Sequence, residues 1–177
     1  MAARSSHKVV GRLTQSQYGV LNALTHDGPV DKEVLGEAVR RVVSDRVAFA
    51  RGLIGTAKIL RDSQHELVRR TAASRAYYAA YHAARAVVFD IHSRDEDDHE
   101  RLPRLIDEAL PAEALGETLK ELRRLRNEVD YSPYPGPDGR TRYDDGELEA
   151  LVVDSVEQAE RVVTMLAAYV ERRARTS

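Results

Sequence analysis

Apolar residues recur along this chain at helical spacing, and the alternation of a half-buried strand is nearly absent. Leu35, Val39, Val42, Phe49, Leu53, Ala57 and Leu60 form one stripe, which predicts a first long helix from about Asp31 to Leu60. A second begins near Ser63, with Glu66 as its capping-box partner, and runs to about Ile91. It carries two stripes. Tyr77, Tyr81, Ala84, Val88 and Ile91 make one; Ser74, Tyr78, His82, Arg85 and Phe89 make the other. Two semi-apolar faces place this helix centrally, packed on more than one neighbour. A short helix is expected near Leu102 to Leu110, and Pro111 suits the first turn of the next, which ends near Tyr131. The last helix starts after Asp144, with Glu147 closing a capping box, and its stripe runs from Leu148 to Val170.

The expected fold is therefore all-α: a bundle of four long helices plus one short helix. Residues 1–29 read as an N-terminal arm with a short helix near Gln15 to Leu24, closed by His26-Asp27-Gly28-Pro29. Residues 30–173 form the helical domain and 174–177 a frayed tail. Segment 92–100 reads as an acidic loop, and Ser132 to Asp145 as a loop rich in proline and glycine. No internal repeat is visible.

Charge and composition narrow the classes. A net charge of -2 provides no global basic field, so any nucleic-acid site must be local. The absence of cysteine excludes disulfides, thiolate metal sites and a cysteine nucleophile, and fits a reducing compartment. Met1 to Gln15 has no apolar run of signal-peptide type, and no apolar run suits a membrane span. The expectation is a cytoplasmic protein without membrane contact.

Leu115, Leu119, Leu122, Leu125 and Val129 line one face of the helix that ends at Tyr131. At 100° per residue, Arg126 points only about 40° from Leu122 and about 60° from Val129. Asp130 lies one turn further, at the edge of the same face. A buried charge is costly unless it is paired or used. Arg126 and Asp130 are thus either an anion-binding group with its orienter or an ion pair that anchors the helix end. Tyr78, His82 and Arg85 on the preceding long helix are either a polar cluster facing Arg126 or satisfied groups in a tight alanine-rich packing.

Two segments together, Ser74-Arg75-Ala76-Tyr77-Tyr78-Ala79-Ala80-Tyr81-His82-Ala83-Ala84-Arg85 and Leu125-Arg126-Asn127-Glu128-Val129-Asp130-Tyr131, resemble the HEPN domain family of prokaryotes over roughly residues 33 to 172. The resemblance implies a helical bundle, usually dimeric. It implies either a ribonuclease toxin encoded beside a minimal nucleotidyltransferase antitoxin, or a non-catalytic binder of RNA or a nucleotide. Active members carry an arginine followed four to six residues later by a histidine, and cleave RNA without metal through its 2′-hydroxyl, with two protomers completing the site. Arg126 matches the arginine. No histidine follows it, because His99 is the last in the chain, and Asp130-Tyr131 stands in that place. Loss of the imidazole removes the group best suited to proton transfer near neutral pH, and a carboxylate held by Arg126 is a poor base.

The resulting expectation is a homodimeric HEPN protein of the branch lacking that histidine, non-catalytic or weakly active. It would bind RNA, a nucleotide or a nucleotidyltransferase partner in a toxin–antitoxin or defence setting. Arg126 is the anion contact, Asp130 its orienter, and Tyr131, Tyr78 and Asn127 polar neighbours. A divergent endoribonuclease using Arg126, Asp130 and Tyr131 is the alternative, and a dimerisation module is a third. Tyr134, Arg140, Arg142 and Tyr143 in the loop 132–145 interleave aromatics with arginines, a pattern suited to bases and phosphates but also to an ordinary connection. His92, Asp95, Asp97, Asp98, His99 and Glu100 fit no fixed zinc spacing and read as a solvated acidic loop. No phosphate-cradling glycine motif is present, and neither metal nor cofactor is expected.

Overall fold

The structure is a computed structural model that describes residues 8–13, 15–28, 30–92, 95–131 and 145–176. It is an all-α bundle, with α1 Gln15–Asp27, α2 Lys32–Arg61, α3 Glu66–His92, α4 Leu102–Ala109, α5 Leu115–Tyr131 and α6 Asp145–Thr176. α3 is the central helix, in contact with α2, α4, α5 and α6. Its alanines explain why. Ala72, Ala76, Ala79, Ala80, Ala83, Ala84 and Ala86 are all fully buried, so neighbouring backbones approach closely on several sides. Larger residues on the partner helices fill the space between them, among them Leu122 of α5 and Leu148, Val152, Val156 and Leu166 of α6. Truncating one such side chain, for example Leu122→Ala, costs on the order of 2–5 kcal/mol.

Local signals explain several boundaries. Asp31 caps α2, its Oδ1 accepting from the backbone N–H groups of Glu33 at 2.8 Å and Val34 at 3.3 Å. The arm carries α1, docked through Tyr18, whose ring meets Phe89 edge-on at 6.1 Å. Other expectations are corrected. α3 begins at Glu66, and Ser63 Oγ instead accepts from the His65 N–H at 3.1 Å. Pro111 lies in a turn, and α5 starts four residues later, after Ala114 takes a left-handed backbone with φ 47°. Phe49 is 55% exposed, and Val43, Val47, Ala50 and Ile54 take the buried positions around it. α6 runs to Thr176. The capping residue expected at Asp144 lies outside the described residues.

Segment 95–100 is solvated in part: Asp97, Asp98 and Glu100 are exposed, but Asp95 and Glu96 turn inward. Glu96 is only 5% exposed, and the Asp95 carboxylate is enclosed by two arginines. No helix among the described residues is long and apolar enough to cross a membrane.

Candidate functional site

α5 lies on α3 through Leu119, Leu122 and Val129, which brings Arg126 over the ring of Tyr78. The guanidinium carbon sits 5.5 Å from the ring centroid, and Nη2 donates to the Tyr78 hydroxyl at 3.1 Å. Nη1 donates to Asn127 Oδ1 at 2.9 Å, and Nε lies 3.1 Å from Asp130 Oδ2. The Arg126 side chain is 18% exposed, so it is held inward without being sealed from solvent. Asp130 is fixed from the other side, where Ser74 Oγ donates to the same Oδ2 at 2.6 Å. Arg70, one turn before Ser74, donates to the carbonyl of Val129 at 3.1 Å and pairs with Glu66 at 2.7 Å.

A second group reaches the same ring. His99, from the segment before α4, meets Tyr78 edge-on with centroids 6.3 Å apart and stacks on Tyr81 at 4.3 Å. Its Nδ1 hydrogen-bonds the Tyr77 hydroxyl at 2.5 Å. The Tyr81 hydroxyl donates to the carbonyl of Asp97 at 2.9 Å and so pins the segment. Burial, with the nearby charges of Arg123 and Arg126, moves the His99 pKa below the ordinary histidine value. Burial raises that of Tyr77, which keeps its phenol neutral.

The remaining candidates lie elsewhere. Arg85 grips Asp95 with two bonds, at 2.7 and 2.6 Å, and Arg46 of α2 reaches the same carboxylate at 2.9 Å. His82 packs against Phe49 at 5.0 Å, and burial, Arg85 and Arg46 lower its pKa to about 4. The candidate set thus divides: Tyr78, Asn127 and Asp130 gather at Arg126, whereas His82 and Arg85 belong to a cluster with Arg46 and Asp95. Tyr131 ends α5; its side chain, with Tyr134, Arg140, Arg142 and Tyr143, lies outside the described residues. Among the described residues no three histidine, aspartate or glutamate side chains converge as metal ligands. Sequence reasoning missed Arg70 and His99 as members of the site. Arg70 was legible as the next i−4 position of the stripe that holds Ser74 and Tyr78. His99 was not, because no local periodicity ties a loop residue to a helix it meets only in the fold.

A helical bundle with an inward-held arginine on one helix and an alanine–tyrosine helix against it defines the class of protein. A family model for the HEPN domain matches residues 50–169, and the chain belongs to the HEPN domain family. That membership indicates a nuclease-like or nucleotide-related role. No curated protein sequence matches the chain.

Proposed function

We propose that this chain is a HEPN protein of the branch without a histidine after the motif arginine, and that it binds RNA around Arg126. The observation that carries the reading is the posture of Arg126. Asp130 and Tyr78 orient its guanidinium against an aromatic ring, and the side chain stays partly exposed. An oriented guanidinium takes a phosphate with little further ordering, and a neighbouring tyrosine ring suits an unstacked base. The toxin–antitoxin or defence setting, the homodimer and a minimal nucleotidyltransferase partner belong to this proposal and are supported by family membership alone. Asp130 is an unattractive base, since Ser74 and Arg126 both occupy its Oδ2.

Filter binding of total bacterial RNA over a salt series tests the reading. Binding should weaken with salt, and Arg126→Ala should flatten the log–log slope by about 0.7, the share of one phosphate on a single strand. Absent or salt-independent binding overturns it.

The bonds from Arg126 to Asn127, Tyr78 and Asp130 favour a second reading, in which the network only holds α5 in place for assembly. In that case Arg126→Ala would change the oligomeric state or stability and leave RNA binding as it was.

A further inference from the structure

We propose that the cavity at the α1 end of the bundle binds a small amphipathic anion, a carboxylate on an apolar body, held between Lys32 and Arg40. The cavity has a volume of about 370 Å³ and opens between α1, α2 and the C-terminal ends of α3 and α6. That size falls at the lower end of the range for small-molecule sites. The cavity stands apart from Arg126: Asp90 on its wall lies 12 residues along α3 from Tyr78, about 18 Å at the helical rise. Its occupancy does not depend on RNA binding at Arg126.

α2 supplies two adjoining stripes. Leu35, Val39 and Val43 recur at i, i+4 and i+8, and with Tyr18 of α1 and Val170 of α6 they form an apolar wall. Lys32, Gly36 and Arg40 recur at the same spacing beside it. The glycine leaves a gap between the two cations, whose Cα atoms stand about 12 Å apart along the axis. A Cβ at Gly36 would meet only Arg40 Nη1, at 3.5 Å, so the guanidinium lies beside an open space. The charges around the cavity select the sign of the ligand. Both acids on the wall are already held, Asp90 by Arg173 at 2.7 Å and Glu171 by Arg51 at 2.6 Å. Arg40 has a loose pair with Glu37 at 3.2 Å on the exposed side, and the Lys32 ammonium has no ion pair among the described residues. A carboxylate over Gly36 can accept from Lys32 Nζ and from the Arg40 guanidinium while its apolar body lies on Val39 and Val43. The rest of the wall is apolar, which suits one charged group and no more.

The test uses the full chain with decanoate and, as a reporter, the apolar fluorescent anion anilinonaphthalene sulfonate. The reporter should bind at a single site, decanoate should displace it, and decylamine should not. Lys32→Gln and Arg40→Gln should each weaken decanoate binding about tenfold, the loss of one charge-assisted hydrogen bond. Both change exposed side chains and keep the test open if a larger change disturbs the fold. Gly36→Leu, which fills the gap, should abolish reporter binding with the helical circular-dichroism spectrum unchanged. Decanoate should also raise the melting temperature of the wild type and leave that of Gly36→Leu where it was. Absent binding, displacement by decylamine as readily as by decanoate, or decanoate binding unchanged in Gly36→Leu overturns the proposal. If the reporter binds a monomer and is shed as copies associate, a second copy is the occupant and the anion site falls.

Discussion

Ser74 and Asp130 meet across the α3–α5 seam, with the serine hydroxyl 2.6 Å from Oδ2. Ser74 is a buried serine on an alanine-rich face, where an unpartnered hydroxyl would be costly. The bond joins the helix bearing Tyr78 to the helix bearing Arg126, and so fixes the angle at which the guanidinium is presented. Ser74→Ala should lower stability by about 1–3 kcal/mol, the range for a hydrogen bond to a charged group. Chemical denaturation monitored by circular dichroism checks it. An unchanged midpoint would mean that Asp130 is held by Arg126 alone.

Asp95 is the stronger anchor. Its carboxylate, 15% exposed, joins Arg85 of α3 and Arg46 of α2. Burial works to raise its pKa, but the bonds and charges of the two arginines prevail and hold it below the usual aspartate value. Asp95→Ala would leave two half-buried guanidinium groups facing each other, and should cost on the order of 3–5 kcal/mol. The pH dependence has a definite sign. A depressed carboxylate contributes stability that is complete above the unfolded value, near 3.9, and lost as pH falls through the folded one. Asp95→Asn should therefore remove part of the acid destabilisation expected below about pH 4. Urea midpoints at pH 3 and pH 7 for both proteins measure it.

The long helices were legible because stripes such as Leu148 to Val170 are repeated many times and tolerate single exceptions. Arg126 and Asp130 were legible for the same reason, as two polar residues interrupting an apolar face. What sequence could not give was the position of anything joined by chain reversal. Phe49 obeys its stripe well enough to pass as core, yet Val47, Ala50 and Ile54 take the buried positions and Phe49 stays at the exposed rim, against His82. Segment 95–100 carries charges that suit water, yet Asp95 finds two arginines 10 and 49 positions back in the chain and becomes interior. Arg85 looked like part of a polar cluster facing Arg126 because it shares a stripe with Tyr78 and His82. The nearer carboxylate, invisible as a neighbour in one dimension, claimed it.

His82 should make the fold sensitive to mild acid. Burial first, and then Arg85 and Arg46, bring its pKa to about 4. A depressed histidine leaves the folded state with fewer bound protons than the unfolded chain between about pH 4 and pH 6.5. Stability is then complete above pH 6.5 and falls as pH drops through that window. His99 shifts in the same direction and contributes with the same sign. His82→Gln should flatten the fall in melting temperature between pH 7 and pH 4.5, leaving the part that belongs to His99. Phe49→Ala, which strips the ring lying on His82, should raise the imidazole titration midpoint toward 6.5, as read by NMR. A midpoint unmoved by that change would show that the arginines, and not burial, set it.

The α4–α5 corner inverts the usual placement of glycine. Ala114, immediately before α5, carries the left-handed backbone with φ 47° and suffers the clash of its Cβ with the following carbonyl. Gly116, two residues on, sits at a close approach where a Cβ would lie 2.6 Å from the Pro103 carbonyl oxygen. The Gly116 N–H donates to Asp107 Oδ1 at 2.7 Å, so a side chain of α4 satisfies the open first turn of α5. Opposite responses should follow. Ala114→Gly relieves a strained residue and should raise stability by up to about 1 kcal/mol, the relief of strain being partly offset by the freer unfolded chain. Gly116→Ala drives a methyl group into backbone, pushes Asp107 off its bond and should cost about 1–3 kcal/mol. Because α5 enters the bundle at this corner, the second change should also loosen the register of Arg126 against Tyr78. Denaturation midpoints give the first two quantities. Amide exchange along α5 gives the third, and protection at residues 119–129 as strong as in the wild type would confine the damage to the corner.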